Sequence, residues 1–338
     1  MKICLIYSSQ NETITFAAQE FCRLLTATGS AISCSHNPSD VPDNAPGTLA
    51  LRLGLDKAGF TSLDDAYHIL ISAEGGSISG SNPRSVLLGV YACLKQIGFR
   101  FLAPGPQGTL IPGALQISDL YMDIKKTASL RHRGVCIEGA NSLENILDFI
   151  DWLPKVGFNS FFVQFTEPFI FLNRWYDHTN NQVLPPQEKG DSFYQNCYRK
   201  IEAAIKMRSL LLHAVGHGWT CEAIGSPTSG WLPSQKQPKP QIAKLLTEVD
   251  GKRTFIDHIP MNTNLCYANE TAAERFIEAV ISYLKGHPQV DFLHIWLADE
   301  VNHICECPDC RELQKNPPPA SRPFSSICLT TTPAMVYA

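Results

Sequence analysis

Hydrophobic positions in the first 118 residues fall into two rhythms. "KICLIYS" (2–8) is apolar and β-branched, the pattern of a buried strand. Behind the capping side chains of Asn11 to Thr13, Phe16, Ala17, Phe21, Leu24 and Leu25 recur at helical intervals. "TLALRLGL" alternates Leu49, Leu51, Leu53 and Leu55 against other residues, which predicts a half-buried strand. "AYHILISA" predicts another, followed by the tight turn "EGG" at 74–76 and a short strand, "SIS". "SNPRSVLLGVYACLKQIG" opens with a cap and a first-turn proline and closes at Gly98, the marks of a complete helix. Residues 1–118 are therefore expected to form a small α/β domain, with 119–130 as a connector.

From Leu130 onward the rhythm becomes strand, helix, strand, helix. "RGVCIEG" (133–139), "NSFFVQF" (159–165), "SLLLHAVGHG" (209–218) and "VDFLHIWLAD" (290–299) read as strands. Between them, "SLENILDFIDWLPKVGF", "FYQNCYRKIEAAIKMR" and "ETAAERFIEAVISYLKGH" read as helices; the first carries Leu143, Ile146, Leu147, Ile150 and Leu153 on one face. Apolar strands alternating with helices predict a parallel sheet. Four such units are half of a (β/α)₈ barrel, so 131–313 is expected to be the first half of a TIM-barrel-like domain. An open sheet of four units is the alternative. "RELQK" begins a helix that the prolines of "NPPPASRP" stop, and 316–338 is expected to be a disordered or non-native tail.

Composition narrows the classes. With 338 residues, 44% hydrophobic and 18% charged, the chain reads as globular and long enough for two domains. A net charge of −4 supplies no basic field for nucleic acid or for an anionic membrane. No apolar run approaches the roughly 20 residues of a membrane helix, and the first residues lack the roughly 7–15 apolar positions of a secretory signal. The expectation is a cytoplasmic protein; its oligomeric state is left open. Twelve cysteines in such a chain are expected to be thiols or metal ligands, with Cys4, Cys22 and Cys93 as core thiols. "EGGSISGSNPRS" has neither a Lys-Ser/Thr ending nor G-x-G-x-x-G spacing, which argues against nucleotide binding.

In a (β/α)₈ barrel the chemistry sits where the strands end at their C-terminal side. That rule selects Glu138, then Gln164 and Glu167, then His217 and Trp219, and finally Asp299 and Glu300. Converging carboxylates, a histidine and an indole suit a carbohydrate, since carboxylates bind hydroxyls and an indole covers the apolar side of a pyranose. Blander readings stand beside each: Asp299 capping a turn, Glu300 in solvent, His217 as a satisfied structural histidine. Asn262 and Asn264 in "NTNLCYAN" are read as shaping a loop. Directly after the carboxylates, His303, Cys305, Cys307 and Cys310 have the spacing H-x-C-x-C-x₂-C, four ligands sufficient for a structural Cys₃His zinc site. Cys266 or Cys136 can stand in for His303, and reduced thiols without metal or a local disulfide are the alternative.

Several of these stretches resemble known families. "DAYHILISAEGGSISGSNPRSVLLGVYACLKQIGFRFLAPG" (65–105) is similar to the small α/β domain in front of the barrel in bacterial α-glucuronidases and β-hexosaminidases. "RHRGVCIEG", "WLPKVGFNSFFVQF", "GHGWTCEAIG", "NTNLCYAN" and "HIWLADEVNHICECPDC" resemble a bacterial family of hexosaminidase-like barrels with the same front domain. The resemblance implies a glycoside hydrolase acting on O-glycosidic bonds of a glycan fragment that bears an N-acetylamino sugar or a uronic acid. It further implies Glu300 as the general acid/base, Asp299 as the group orienting a substrate acetamido nucleophile, and Arg133 of the "R-G" pair as a donor to sugar hydroxyls. A non-catalytic carbohydrate-binding protein with a structural zinc is the alternative. Such barrels have eight strands and this chain supplies four, so an incomplete site is expected.

Overall fold

The computed structural model describes residues 2–7, 10–37, 47–56, 59–166, 169–178, 181, 183–187, 189–226, 230–299, 303–315 and 334–335. The chain divides into two compact units: 1–135 with 141–161 and 199–211, and 136–140 with 162–198 and 212–338. No helix among the described residues is long and apolar enough to cross a membrane.

The first unit is built on strands β1 (Lys2–Ile6), β2 (Ser33–Asn37), β3 (Thr48–Leu55), β4 (Ala66–Ser72) and β5 (Gly75–Gly80). Helices α1 (Glu12–Ala27) and α2 (Pro83–Gln96) cover them. A small ribbon pairs β6 (Arg100–Phe101) with β7 (Thr109–Leu110), and β8 (Met122–Thr127) completes the main sheet in the order β2-β1-β3-β5-β4-β8. The expected caps are present: the side chain of Asn11 accepts from the Ile14 amide at 3.1 Å, and that of Asn82 from Ser85 at 2.8 Å. Leu49, Leu51 and Leu53 bury the predicted face of β3 against the apolar stripes of both helices. The "EGG" turn needs its glycines, because a Cβ on Gly76 would stand 2.1 Å from the Leu70 carbonyl oxygen.

Two features of this unit differ from the sequence reading. β2, "SCSHN", has no apolar alternation and was not anticipated; it is a parallel edge strand on β1, where hydrogen bonding rather than burial recruits it. Cys22 is not a core thiol but forms a disulfide with Cys34 of β2, tying α1 to that edge strand. Cys4 and Cys93 are buried thiols as expected, and burial pushes the Cys93 thiol up to about 12.

The remaining elements follow the strand–helix rhythm: β9 (Gly134–Cys136), α3 (Leu143–Lys155), β10 (Ser160–Gln164), α4 (Phe169–Tyr176) and α5 (Asp191–Met207). They continue as β11 (Leu211–Gly216), the short α6 (Trp219–Ala223) and α7 (Pro240–Ala243), α8 (Glu270–Gly286), β12 (Phe292–Ile295) and α9 (Pro308–Lys315). β9 to β12 lie side by side in chain order. β11 and β12 are parallel in register His213 to Phe292. Backbone bonds that advance in step along both strands (Ser160 to Arg133, then Ile137 to Phe162) make β9 and β10 parallel as well, while Phe165, just past β10, meets Val215 in an isolated antiparallel bridge. The protein is thus α/β, an α/β domain followed by a partial barrel. Within the tail expected to be disordered, β13 (Ala334–Met335) pairs antiparallel with β12; the rest of 316–338 lies outside the described residues.

Candidate functional site

The C-terminal ends of β9 to β12 carry the polar groups that the sequence singled out. β9 delivers the exposed Glu138, whose Oε1 accepts from the Gly139 amide at 3.2 Å. β10 delivers Gln164, which is buried, with Oε1 lacking a hydrogen-bond partner among the described residues. Immediately beyond, Phe165 at φ 68° and Val215 at φ 76° are joined by a 2.8 Å backbone bond. A left-handed conformation is costly for a phenylalanine and more so for a β-branched valine, and such strain gathers where a fold is aiming side chains.

That turn aims His217. Gly216, at φ 74°, lets the Trp296 ring lie directly on the strand, since a Cβ there would be 2.9 Å from the indole and 3.1 Å from Phe162. His217 Nδ1 donates to the Leu297 carbonyl at 2.9 Å; a carbonyl can only accept, so the proton sits on Nδ1. Nε2 then faces Asp299 Oδ1 at 3.5 Å, and it donates to that carboxylate when the ring is protonated. The other oxygen, Oδ2, accepts from the Trp231 indole N–H at 2.6 Å, a short charge-assisted bond. The Asp299 backbone is fixed too, its amide donating to Met261 O at 3.1 Å. With 30% of its side chain exposed, Asp299 is both held and reachable.

Trp231 and Arg174 had no signal of their own in the sequence. Trp231 lies edge-on to Phe165 at 5.6 Å, and the Arg174 guanidinium covers the indole at 5.3 Å. Arg174 also reaches the Gly139 carbonyl beside Glu138 at 3.5 Å. The only hint was an indole within the Gly-, Ser- and Pro-rich loop "GSPTSGWLPS", a type of segment that often carries function.

Other expected residues are placed elsewhere. Trp219 is no sugar platform: it is fully buried, its N–H donates to the His294 carbonyl at 3.0 Å, and its ring meets Tyr283 edge-on. Trp219→Phe keeps one aromatic ring but loses that bond and the buried volume of the second ring, so urea denaturation should register a loss of about 2–4 kcal/mol. Arg133 stands at the N-terminal end of β9. Its guanidinium is taken up by Gly157 O at 2.8 Å, Leu130 O at 2.5 Å and Asp65 Oδ2 at 2.6 Å, which leaves it a structural brace instead of a hydroxyl donor. Glu167 and Glu300 lie outside the described residues. Asn264 does shape a loop, as expected, bonding Ala298 N and His303 O.

The sulfur cluster is present with one change of ligand. The Sγ atoms of Cys266, Cys305, Cys307 and Cys310, all buried, lie within 4.8 Å of one another. His303 is not part of the group; it contributes its backbone carbonyl, which accepts from Asn264 Nδ2 at 3.1 Å. Cys136 is exposed and also outside it. Cys266 approaches Cys307 at 3.7 Å and Cys310 at 3.6 Å. Zinc–sulfur bonds of about 2.3 Å in a tetrahedron put sulfurs about 3.8 Å apart, so the spacing fits a tetrathiolate metal centre. It is far beyond the ~2.05 Å of a disulfide. Backbone amides of Glu248 and Cys310 donate to Cys305 Sγ and Cys307 Sγ at 3.3 and 3.4 Å. Burial opposes the charge of Arg253, but its hydrogen bonds to the Cys266 and Cys307 sulfurs outweigh that and raise its pKa, placing a firm cation beside the sulfur cluster.

No protein-family model matches this sequence, and no curated protein matches it. Among solved structures, it is similar to the Flavobacterium johnsoniae GH20 chitobiase at 14% identity, covering 94% of this chain and 43% of that one with a TM-score of 0.49. It is also similar to a GH138 enzyme targeting pectin rhamnogalacturonan II, at 11% identity, 72% and 28% coverage and a TM-score of 0.43. A GH115 4-O-methyl-α-glucuronidase with specificity for decorated arabinogalactans matches at 11% identity, 86% and 40% coverage and a TM-score of 0.44. The chain spans less than half the length of each of these three glycoside hydrolases. At these values no catalytic residue passes from them to this chain.

Proposed function

We propose that this chain carries part of a glycoside-hydrolase site that takes a carbohydrate at the C-terminal ends of β9 to β12. The observation behind the reading is Asp299, a partly exposed carboxylate four residues past β12 that accepts from the Trp231 indole and faces His217. An anchored carboxylate bonded to Trp231, with Trp296 packed on His217 beside it, offers what a pyranose needs, a hydrogen-bond acceptor for its polar groups and partly exposed rings for its C–H side. Glu138 and Gln164 supply further polar groups from β9 and β10. In this reading Asp299 orients the substrate, and its chain neighbour Glu300 protonates the leaving oxygen. The sulfur cluster holds a structural zinc: four sulfur ligands close the coordination shell and leave no position for a reacting water.

The test is a panel of 4-nitrophenyl glycosides, including N-acetylamino sugars and uronides, assayed for turnover and, by calorimetry, for saccharide binding. Turnover that disappears in Glu300→Gln supports the reading. Turnover undiminished in Glu300→Gln removes Glu300 as the acid, and binding without turnover favours a carbohydrate-binding role.

A further inference from the structure

We infer that the metal-loaded Cys266–Cys305–Cys307–Cys310 centre is the clamp that fixes the position of Asp299. The inference rests on Asp299 being the carboxylate of the saccharide reading; the clamp itself is a matter of backbone geometry.

Between β12 and α9 the described chain has neither helix nor strand, and Asp299 lies at the start of that stretch. What holds it is a second segment, 244–266, which carries only the short 3-10 turns Ile256–His258 and Pro260–Asn262 and isolated bridges such as Leu246 to Leu265. Asp299 N donates to Met261 O at 3.1 Å, and Ala298 N to Asn264 Oδ1 at 3.0 Å. Asn264 Nδ2 reaches across to His303 O at 3.1 Å, so one side chain brackets the carboxylate from both directions. Thr247 reinforces the bracket, its amide donating to Asn264 O at 2.9 Å and its hydroxyl reaching His303 O at 3.5 Å. Glu306 N donates to Glu248 O at 2.8 Å, and Glu248 N to Cys305 Sγ at 3.3 Å.

These bonds are mostly between neutral groups and are modest one by one. The sulfur cluster itself has little apolar support among the described residues, with the partly buried Ala268 packed on it, whereas Leu245, Leu246 and Leu265 of the same segment are buried in a separate core cluster with Leu293. The two sides of the bracket are nonetheless each two residues from a sulfur ligand. Asn264 precedes Cys266 by two positions, and His303 precedes Cys305 by two. A metal bridging Cys266 to Cys305, Cys307 and Cys310 therefore staples together the two segments that Asn264 joins, and Asp299 hangs from that joint. Metal binding by such a centre is coupled to ordering of the chain that supplies the ligands.

The experiment uses the purified, folded protein. Elemental analysis gives the zinc content, and cobalt substitution gives the visible spectrum of a tetrahedral tetrathiolate centre. Hydrogen exchange is then followed with zinc bound, after chelation and after zinc is restored. Exchange in peptides covering 261–266 and 296–304 is expected to rise at least tenfold on chelation and to recover with zinc, while the β11 peptide of the second unit stays unchanged and excludes unfolding of that unit. Asn264→Ala should retain zinc yet show the fast exchange at 296–304, which separates the bracket from the metal. Zinc below half an equivalent in metal-replete protein, or removable zinc with no change at 296–304, overturns the clamp. If exchange responds but no saccharide binds zinc-loaded protein, the clamp stands and the saccharide reading fails.

Discussion

Asp65→Asn is expected to destabilise the first unit by about 3–5 kcal/mol, the usual cost of removing one partner from a buried ion pair. Asp65 is 4% exposed and serves two cations at once. Oδ1 accepts from Arg84 Nε and Nη2 at 2.9 and 2.7 Å and from Asn82 at 3.1 Å; Oδ2 accepts from Arg133 at 2.6 Å and Asn159 at 2.8 Å. An asparagine keeps the shape but abandons the Arg84 charge, itself 4% exposed. Burial works against the Asp65 carboxylate, but the Arg84 charge and the bonds from Arg84, Arg133 and Asn82 prevail and hold its pKa below the usual carboxylate value. Because the folded pKa is lowered, the stabilisation is complete above the unfolded carboxylate pKa of about 3.9 and is lost as pH falls through the lower folded value. Asp151 behaves alike: burial opposes its charge, and Lys155 and then Arg208 lower its pKa. Urea denaturation at neutral pH and in acid checks both parts. A neutral-pH loss below about 1 kcal/mol, the general range of exposed ion pairs, would refute the buried-pair account.

Asp299→Asn is expected to lower kcat on the best glycoside by roughly 10²–10³-fold, the scale for removing one preorganised electrostatic contact in an active site. The substitution preserves volume and can still accept from Trp231, so the pocket should keep its shape. It removes the negative charge that draws on the Trp231 N–H and faces His217 Nε2, and with it the charge available to a substrate group in the transition state. A fall in kcat with KM little changed would identify an interaction realised in the transition state. Initial rates over a range of substrate concentrations decide the matter: a kcat equal to that of the unaltered protein eliminates Asp299 from the reaction.

Much of the architecture was legible because it depends on local rules. Period-two leucines in β3, the caps at Asn11 and Asn82, and the apolar runs of β9 to β12 are short-range signals, and an element formed within each pattern, although β9 and β12 stop at Cys136 and Ile295, short of the runs read at 133–139 and 290–299. β2 was illegible for the same reason. A polar edge strand has no burial to write into its sequence, and its partner β1 is about thirty positions away.

The candidate site divides along the same line. The sequence by itself determined that Asp299 follows an apolar strand, which ends at Ile295, and that three cysteines follow in a knuckle spacing, since both are statements about neighbours along the chain. Only the tertiary structure decided who meets them. Cys266 replaces His303 from a different loop, Trp231 reaches Asp299 across 68 positions, and Arg133 turns to Asp65 across 68. The same holds for the indoles: Trp219 follows a strand end as a site residue should, yet burial against His294 and Tyr283 makes it core, while Trp231 in a polar loop reaches the carboxylate. The physical reason is common to all of them. Secondary structure is set by energies within a few residues, whereas a side chain's role follows from which donors, charges and sulfurs the folded chain brings within about 4 Å of it.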